Sequence, residues 1–117
     1  MDVTEHPDAF RSDECAEVLK ALSEPLRLRI IDLLRHGPLT VSDISESLEA
    51  ELVTVSHHLG ILKQARLVSV ERDGRYKVYR LRDDLLSKAR GAGGAQFLNL
   101  GCCRLEIPKK DEAASAE

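Results

Sequence analysis

The sequence predicts a mainly α fold closed by a β-hairpin wing, in the order of a winged helix-turn-helix. Three observations predict it. Aromatic residues make up only 3% of the 117 residues while apolar ones make up 43%, so the core must be built from Leu, Ile, Val and Ala, which suits packed helices better than a sandwich. Between Ser12 and Arg66, apolar residues recur at three- and four-residue spacing. Directly after them, two β-branched and aromatic runs flank "RDGR", and its Asp73-Gly74 is the strongest short-range hairpin signal a sequence offers.

The elements follow in order. Ser12 is a suitable N-cap, with Asp13 and Glu14 in the first turn and Cys15, Val18, Leu19 and Leu22 as the apolar stripe. "SEP" restarts the chain. Pro25 suits a first helical position, and Leu26, Ile30, Leu33 and Leu34 form the second stripe, which "HGP" at 36–38 ends. A short helix from Thr40 or Val41 uses Val41, Ile44 and Leu48. After a turn at 49–51, Leu52, Val55, Leu59, Leu62 and Arg66 line one face, leaving Thr54, Ser56, His57, Gly60 and Gln64 off it. Two short helices joined by a tight turn outline a helix-turn-helix. Strands over 67–71 and 76–81 complete the wing, with Arg72, Arg75 and Lys77 at its tip.

The net charge of −3 is uneven: residues 1–24 carry −5, residues 25–82 carry +3 and residues 83–117 carry −1. The middle of the chain thus has the charge of a nucleic-acid binder although the whole does not. An α-helix fits the major groove, where Thr54, Ser56, His57 and His58 are of the right types to reach base edges. Gly60 would let the helix approach closely, and Arg72, Arg75 and Lys77 would meet phosphates or the minor groove. Each feature alone has a bland reading, as a solvated face or an ordinary turn; together, in this order, they point to double-stranded DNA.

No run approaches the roughly 20 apolar residues of a membrane span, and the acidic N-terminus is no signal peptide, so a cytoplasmic protein with no membrane partner is expected. Four stretches are expected: a flexible N-terminus (1–11), the winged helix-turn-helix domain (12–90), a Gly-rich linker with a Cys-containing segment (91–108) and a disordered tail (109–117). Gly91, Gly93 and Gly94 would each cost a helix about 1 kcal/mol. This predicts a short helix over 83–90 followed by an extended segment, in which Cys103, Leu105 and Ile107 alternate with Arg104 and Glu106. A continuous helix to about Leu100 is the alternative. No nucleophile–base pair, H-x-E zinc motif or C-x-x-C is present, so the chain is not expected to be an enzyme.

"LKALSEPLRLRIIDLL", "LTVSDISESL" and "VSHHLGILKQARLVSVERDGRYKVYRL" closely resemble the ArsR/SmtB family of small metal- and redox-responsive repressors. The likeness covers about residues 13 to 82, and Val55 to Val68 matches its V-S-x-H-L-x-x-L-x-x-A-G-L-V pattern except for Arg66 in place of Gly. The resemblance implies a homodimer that binds an inverted-repeat operator and leaves it when an inducer binds. It implies base contact by Thr54, Ser56, His57 and His58 and wing contact by Arg72 and Arg75. His58 has a second reading, bracing its helix against a neighbour.

The family's familiar ligand sets are absent. Where arsenic and lead sensors carry two cysteines, this chain has Thr40 and Ser42 in "PLTVSDI", and hydroxyls are poor ligands for soft cations. Where zinc sensors pair Asp with His on the last helix, it has Asp83 and Asp84 with no histidine. His6 and His36 are expected to be solvated or locally bonded. Cys15, Cys102 and Cys103 remain. Three thiolates could bind As(III) or another thiophilic ion as effector, with no obligatory cofactor. The resemblance places the first and last elements together at the dimer interface, so Cys15 could approach the pair from its own or the partner chain. The alternatives are a Cys15 that is only a small buried apolar group, an oxidant or persulfide sensor, and a DNA-binding regulator whose cysteines are structural. The odd count in a reducing compartment argues against a disulfide framework. A Cys102–Cys103 bridge would be strained, because consecutive Cα atoms lie ~3.8 Å apart.

Overall fold

A computed structural model describes residues 10–88 and 96–108. The first helix, α1 (Ser12–Leu22), starts one residue earlier than its expected cap: Arg11 holds the cap position with a left-handed φ of 54°. Its buried face runs through Cys15, Ala21 and Leu22, whereas Leu19 is 39% exposed. The stripe expected through Leu19 is therefore rotated towards Ala21. In α2 (Pro25–Leu34) the cap is Glu24, whose carboxylate accepts the N–H groups of Leu26 at 2.9 Å and Arg27 at 3.2 Å. That helix buries Ile30, Ile31 and Leu34.

A two-residue strand, β1 (Leu39–Thr40), leads into α3 (Val41–Leu48). Thr40 Oγ1 accepts the Asp43 N–H at 3.1 Å, a cap worth about 1 kcal/mol. Glu49 turns left-handed at φ 51°, and α4 (Leu52–Gln64) follows, burying Val55, Leu59 and Leu62. Two expected members of that face lie off it. Leu52 is half exposed, and Arg66 sits beyond the helix in the left-handed region at φ 63°. The resembling pattern has Gly where Arg66 stands, and glycine adopts a left-handed φ without the cost a side chain carries.

The wing is β2 (Val68–Asp73) and β3 (Tyr76–Leu81), paired antiparallel with Asp73 opposite Tyr76. The turn residues are Gly74 and Arg75, one place on from the expected Asp-Gly, with positive φ at Gly74 alone, which suits a type II′ turn. β1 pairs on the other edge of β3, giving the order β1-β3-β2. Helix-turn-helix and three-stranded wing make a winged helix-turn-helix.

Of the helix expected over 83–90, the described residues 83–88 form a turn and a strand instead. Residues 83–85 make a turn in which the Leu85 N–H bonds Arg82 O at 2.9 Å, and the chain then enters β4 (Leu86–Lys88). β4 pairs with β5 (Gln96–Asn99), which pairs with β6 (Arg104–Ile107), all antiparallel. Non-local pairing decides this region. A turn lets Leu85 reach the core, while a strand lets Leu86 pair opposite Leu98; tertiary contacts override the helical preference of a short segment. The extended reading of Cys103 to Ile107 holds, with Leu105 and Ile107 half-buried between exposed Arg104 and Glu106. Leu85, Leu98 and Leu100 belong to the same core as Ile30, Ile44 and Leu59, and Arg35 Nη1 donates to Gln96 Oε1 at 2.5 Å. The β4–β5 ladder therefore crosses the boundary expected after residue 90. The N-terminal residues 1–9, His6 among them, the glycines of 89–95 and the tail 109–117 lie outside the described residues. No helix among the described residues is long and apolar enough to cross a membrane.

Candidate functional site

Two surfaces carry the chemistry. On α4, Thr54, Ser56, His57 and Gly60 are all exposed on the face away from Val55, Leu59 and Leu62. A Cβ added at Gly60 would meet nothing within 4 Å, so the fold itself does not require glycine there. His58 faces the other way. Its Nδ1 lies 3.1 Å from Arg27 Nη1 and its Nε2 3.7 Å from Glu24 Oε2, with the side chain 14% exposed. Both ring nitrogens thus face α2 and its cap rather than the side of α4 that carries Thr54, Ser56 and His57. Arg27 also donates from Nε to Ala21 O at 2.6 Å. One guanidinium thus ties the end of α1 to α4, while Glu24 caps α2 and faces the same imidazole.

The sequence reading passed over Val53, which is 78% exposed in the first turn of α4. An exposed β-branched residue beside Thr54 is the signal that could have found it, because apolar groups read the thymine methyl.

At the wing, Arg72 and Lys77 stand directly opposite each other in the ladder, both exposed. Like charges so placed destabilise a strand pair by a few tenths to about 1 kcal/mol. An anion between them removes that cost. Arg75, also exposed, occupies the second turn position beyond them. Arg80 is held differently, with Nη2 3.6 Å from Glu71 Oε2.

The second surface is a cluster of sulfurs. Cys15 lies in the first turns of α1 at 1% exposure, and Cys102 and Cys103 occupy the tight connection between β5 and β6, half-buried. Gly101 permits that connection with φ +89°, and the Arg11 guanidinium approaches to 3.3 Å from where its Cβ would be. All three sulfurs lie within 4.8 Å of one another, in one chain. Cys15 and Cys102 are disulfide-bonded with Cα atoms 5.6 Å apart, in the ordinary range for a bridge. The free Cys103 Sγ is 3.6 Å from Cys15 Sγ and 4.0 Å from Cys102 Sγ. The odd cysteine count argues against a structural disulfide framework, yet Cys15 and Cys102 are bridged. The physical reason is proximity, because α1 and the β5–β6 connection pack on one core. Cys102 and Cys103 are not bonded to each other, as the short Cα spacing predicts.

With the Cys15–Cys102 bond reduced, the three thiols would suit a thiophilic ion. Ligands ~2.3 Å from one centre at tetrahedral angles sit roughly 3.8 Å apart, close to the two non-bonded separations here. Thr40 and Ser42 take no part in this cluster, and Asp83 and Asp84 belong to no metal-ligating group among the described residues. Asp84 instead accepts from Arg82 Nε at 2.5 Å.

The family described as "Bacterial regulatory protein, arsR family" matches residues 24–70. The chain is 44% identical over 69 residues to the transcriptional repressor SdpR of Bacillus subtilis, covering 59% of this chain and 77% of that protein. It is 37% identical over 73 residues to an arsenical resistance operon repressor of Staphylococcus xylosus, covering 62% of this chain and 70% of that one. Among solved structures it is similar to the homodimeric winged helix-turn-helix DNA-binding domain of a possible ArsR-family regulator from Mycobacterium bovis. The TM-score is 0.57 at 39% identity, over 59% of this chain and 64% of that one.

Proposed function

This chain belongs to the ArsR family of bacterial regulatory proteins, and on that premise we propose a homodimeric repressor released from DNA by a thiol-reactive effector, a soft metal or metalloid ion such as As(III), at Cys15, Cys102 and Cys103. Its relatives are transcriptional regulators, not enzymes. The observation that carries the reading is the convergence of three sulfurs, one on the first helix and two from 87 residues or more further along.

In this reading Thr54, Ser56 and His57 meet base edges in the major groove, and Arg72, Arg75 and Lys77 hold phosphates beside it. Two copies related by a two-fold axis place their α4 helices about 34 Å apart, one turn of DNA, so the operator is an inverted repeat. The exposed Leu19 offers α1 as apolar surface for the second copy. Ion binding to Cys15 and the β5–β6 connection fixes α1 relative to the C-terminal sheet. The contacts of Arg27 with Ala21 O and His58 carry a displacement of α1 to the reading helix. The effector must favour the low-affinity dimer by about 1–3 kcal/mol, which is a 5- to 150-fold loss of DNA affinity.

A second reading of the same fold is a repressor that senses an oxidant or persulfide, and the Cys15–Cys102 disulfide favours it. The test is fluorescence anisotropy of a duplex selected from a random pool by the reduced protein, with As(III), Cd(II), Cu(I) or peroxide added. Release by the ions that is lost in the Cys102→Ser/Cys103→Ser double variant supports the ion reading, and release by peroxide alone supports the second. Release unchanged in the double variant overturns both.

A further inference from the structure

We propose that oxidation gates the ion site: Cys15 is a pivot that forms a disulfide with either Cys102 or Cys103, and either disulfide excludes the ion. This deepens the reading given above and rests on its thiol site, but not on any effect on DNA.

The geometry treats Cys102 and Cys103 almost alike. One is bonded to Cys15, and the other holds its sulfur 3.6 Å from Cys15 Sγ. Both come from one tight connection opened by the positive φ of Gly101. The two cannot readily bond each other, because adjacent Cα atoms are too close for a relaxed bridge. Cys15 is therefore the sulfur common to both pairings.

The chemistry balances with a peroxide as oxidant. A half-buried thiol, Cys102 or Cys103, is oxidised by hydrogen peroxide to its sulfenic acid with release of water. The Cys15 thiol then attacks that sulfur, forming the disulfide and expelling a second water. Exchange needs no further oxidant: the free Cys103 thiolate attacks Cys15 Sγ, the Cys15–Cys102 bond breaks, and Cys102 leaves as the thiolate. Each disulfide removes two of three thiolates from the ion site. Conversely, an ion held by all three leaves no free thiolate to be oxidised. The two inputs are mutually exclusive states of one cluster.

The test has two parts, both on the full chain with no DNA present. Peroxide-treated protein is alkylated, digested and analysed for a cross-link between the Cys15 peptide and the 102–103 peptide. The expected result is a cross-link in wild type, in Cys102→Ser and in Cys103→Ser, and none in Cys15→Ser. A cross-link missing from either single C-terminal variant overturns the pivot, and so does a Cys102–Cys103 bridge formed as fast in Cys15→Ser as the wild-type link. Circular dichroism confirms that each variant is folded. In the second part, thiolate-to-Cd(II) absorption is titrated. About one Cd(II) per reduced chain is expected. After peroxide, affinity should fall by more than the ~100-fold that losing a mere supporting contact costs, and dithiol reductant should restore it. Equal Cd(II) binding before and after oxidation overturns the gate. If Cd(II) binds and is gated yet leaves DNA affinity unchanged, the repressor-release reading fails while this one stands.

Discussion

The wing and the C-terminal sheet are both three-stranded and antiparallel, yet they are built to meet different things. The wing directs Arg72, Arg75 and Lys77 into solvent, accepting a like-charge pair across its ladder. The C-terminal sheet, with the turn before it, packs Leu85, Leu98 and Leu100 into the core and holds two of the three thiols. In the proposed reading one surface meets an external polyanion and the other a small chemical input. What joins them is the helical layer, through α1, Arg27 and His58. Reading and sensing are thus separated in space but share one core.

The sharpest way to break this comparison is to ask whether the C-terminal sheet is truly part of that core. Leu98→Ala, at a buried position in β5, is expected to cost about 2–5 kcal/mol in denaturant unfolding, with a single transition. A cost below ~0.5 kcal/mol would make the sheet a detachable arm.

Next in size is the wing. The Arg72→Ala/Arg75→Ala double variant, which removes four arginines from each bound dimer, should lose about a hundredfold or more in DNA affinity across all sequences and flatten the salt dependence by about 3.6 log units per log unit. Loss of discrimination at one base position alone would place these residues in base readout instead.

These two regions also differ in how far local pattern reveals them. The helix-turn-helix and the hairpin are short-range structures: Pro25 after Glu24, Thr40 capping Asp43, and Gly74 in the turn each act within a few residues. Periodicity and turn chemistry therefore place them, with errors of one residue at Ser12 and at the hairpin turn. β1 and β4 escaped because a two- or three-residue strand has no pattern of its own and exists only through its partner. The thiol cluster was half legible. The residues and their grouping were expected, but the disulfide was not, because its partners are 87 residues apart. His58 shows the limit on a single helix, where an inward and an outward imidazole look the same in sequence.

A smaller effect of opposite signs is expected at Gly60, where a Cβ meets open space. Gly60→Ala should raise stability by about 0.5–1 kcal/mol while weakening DNA binding, because the added methyl stands on the groove-facing side. A gain in both would remove the close approach of α4 to DNA.

The smallest concerns Val53, 78% exposed. Val53→Ala is expected to cost about 0.5–1 kcal/mol on a selected duplex and nothing on the same duplex with deoxyuridine for thymidine. Equal losses on both would mean that Val53 reads no methyl.

The most direct measurement is the As(III) dependence of DNA affinity in the reduced protein, wild type against Cys15→Ser, on one selected duplex. Cys15 is buried on α1 and carries one of the three clustered thiols, and the DNA affinity of the ion-free variant serves as its own reference. The account predicts a 5- to 150-fold loss of affinity in wild type and less than about a twofold loss in the variant. As(III)-driven release of Cys15→Ser equal to that of wild type would contradict it.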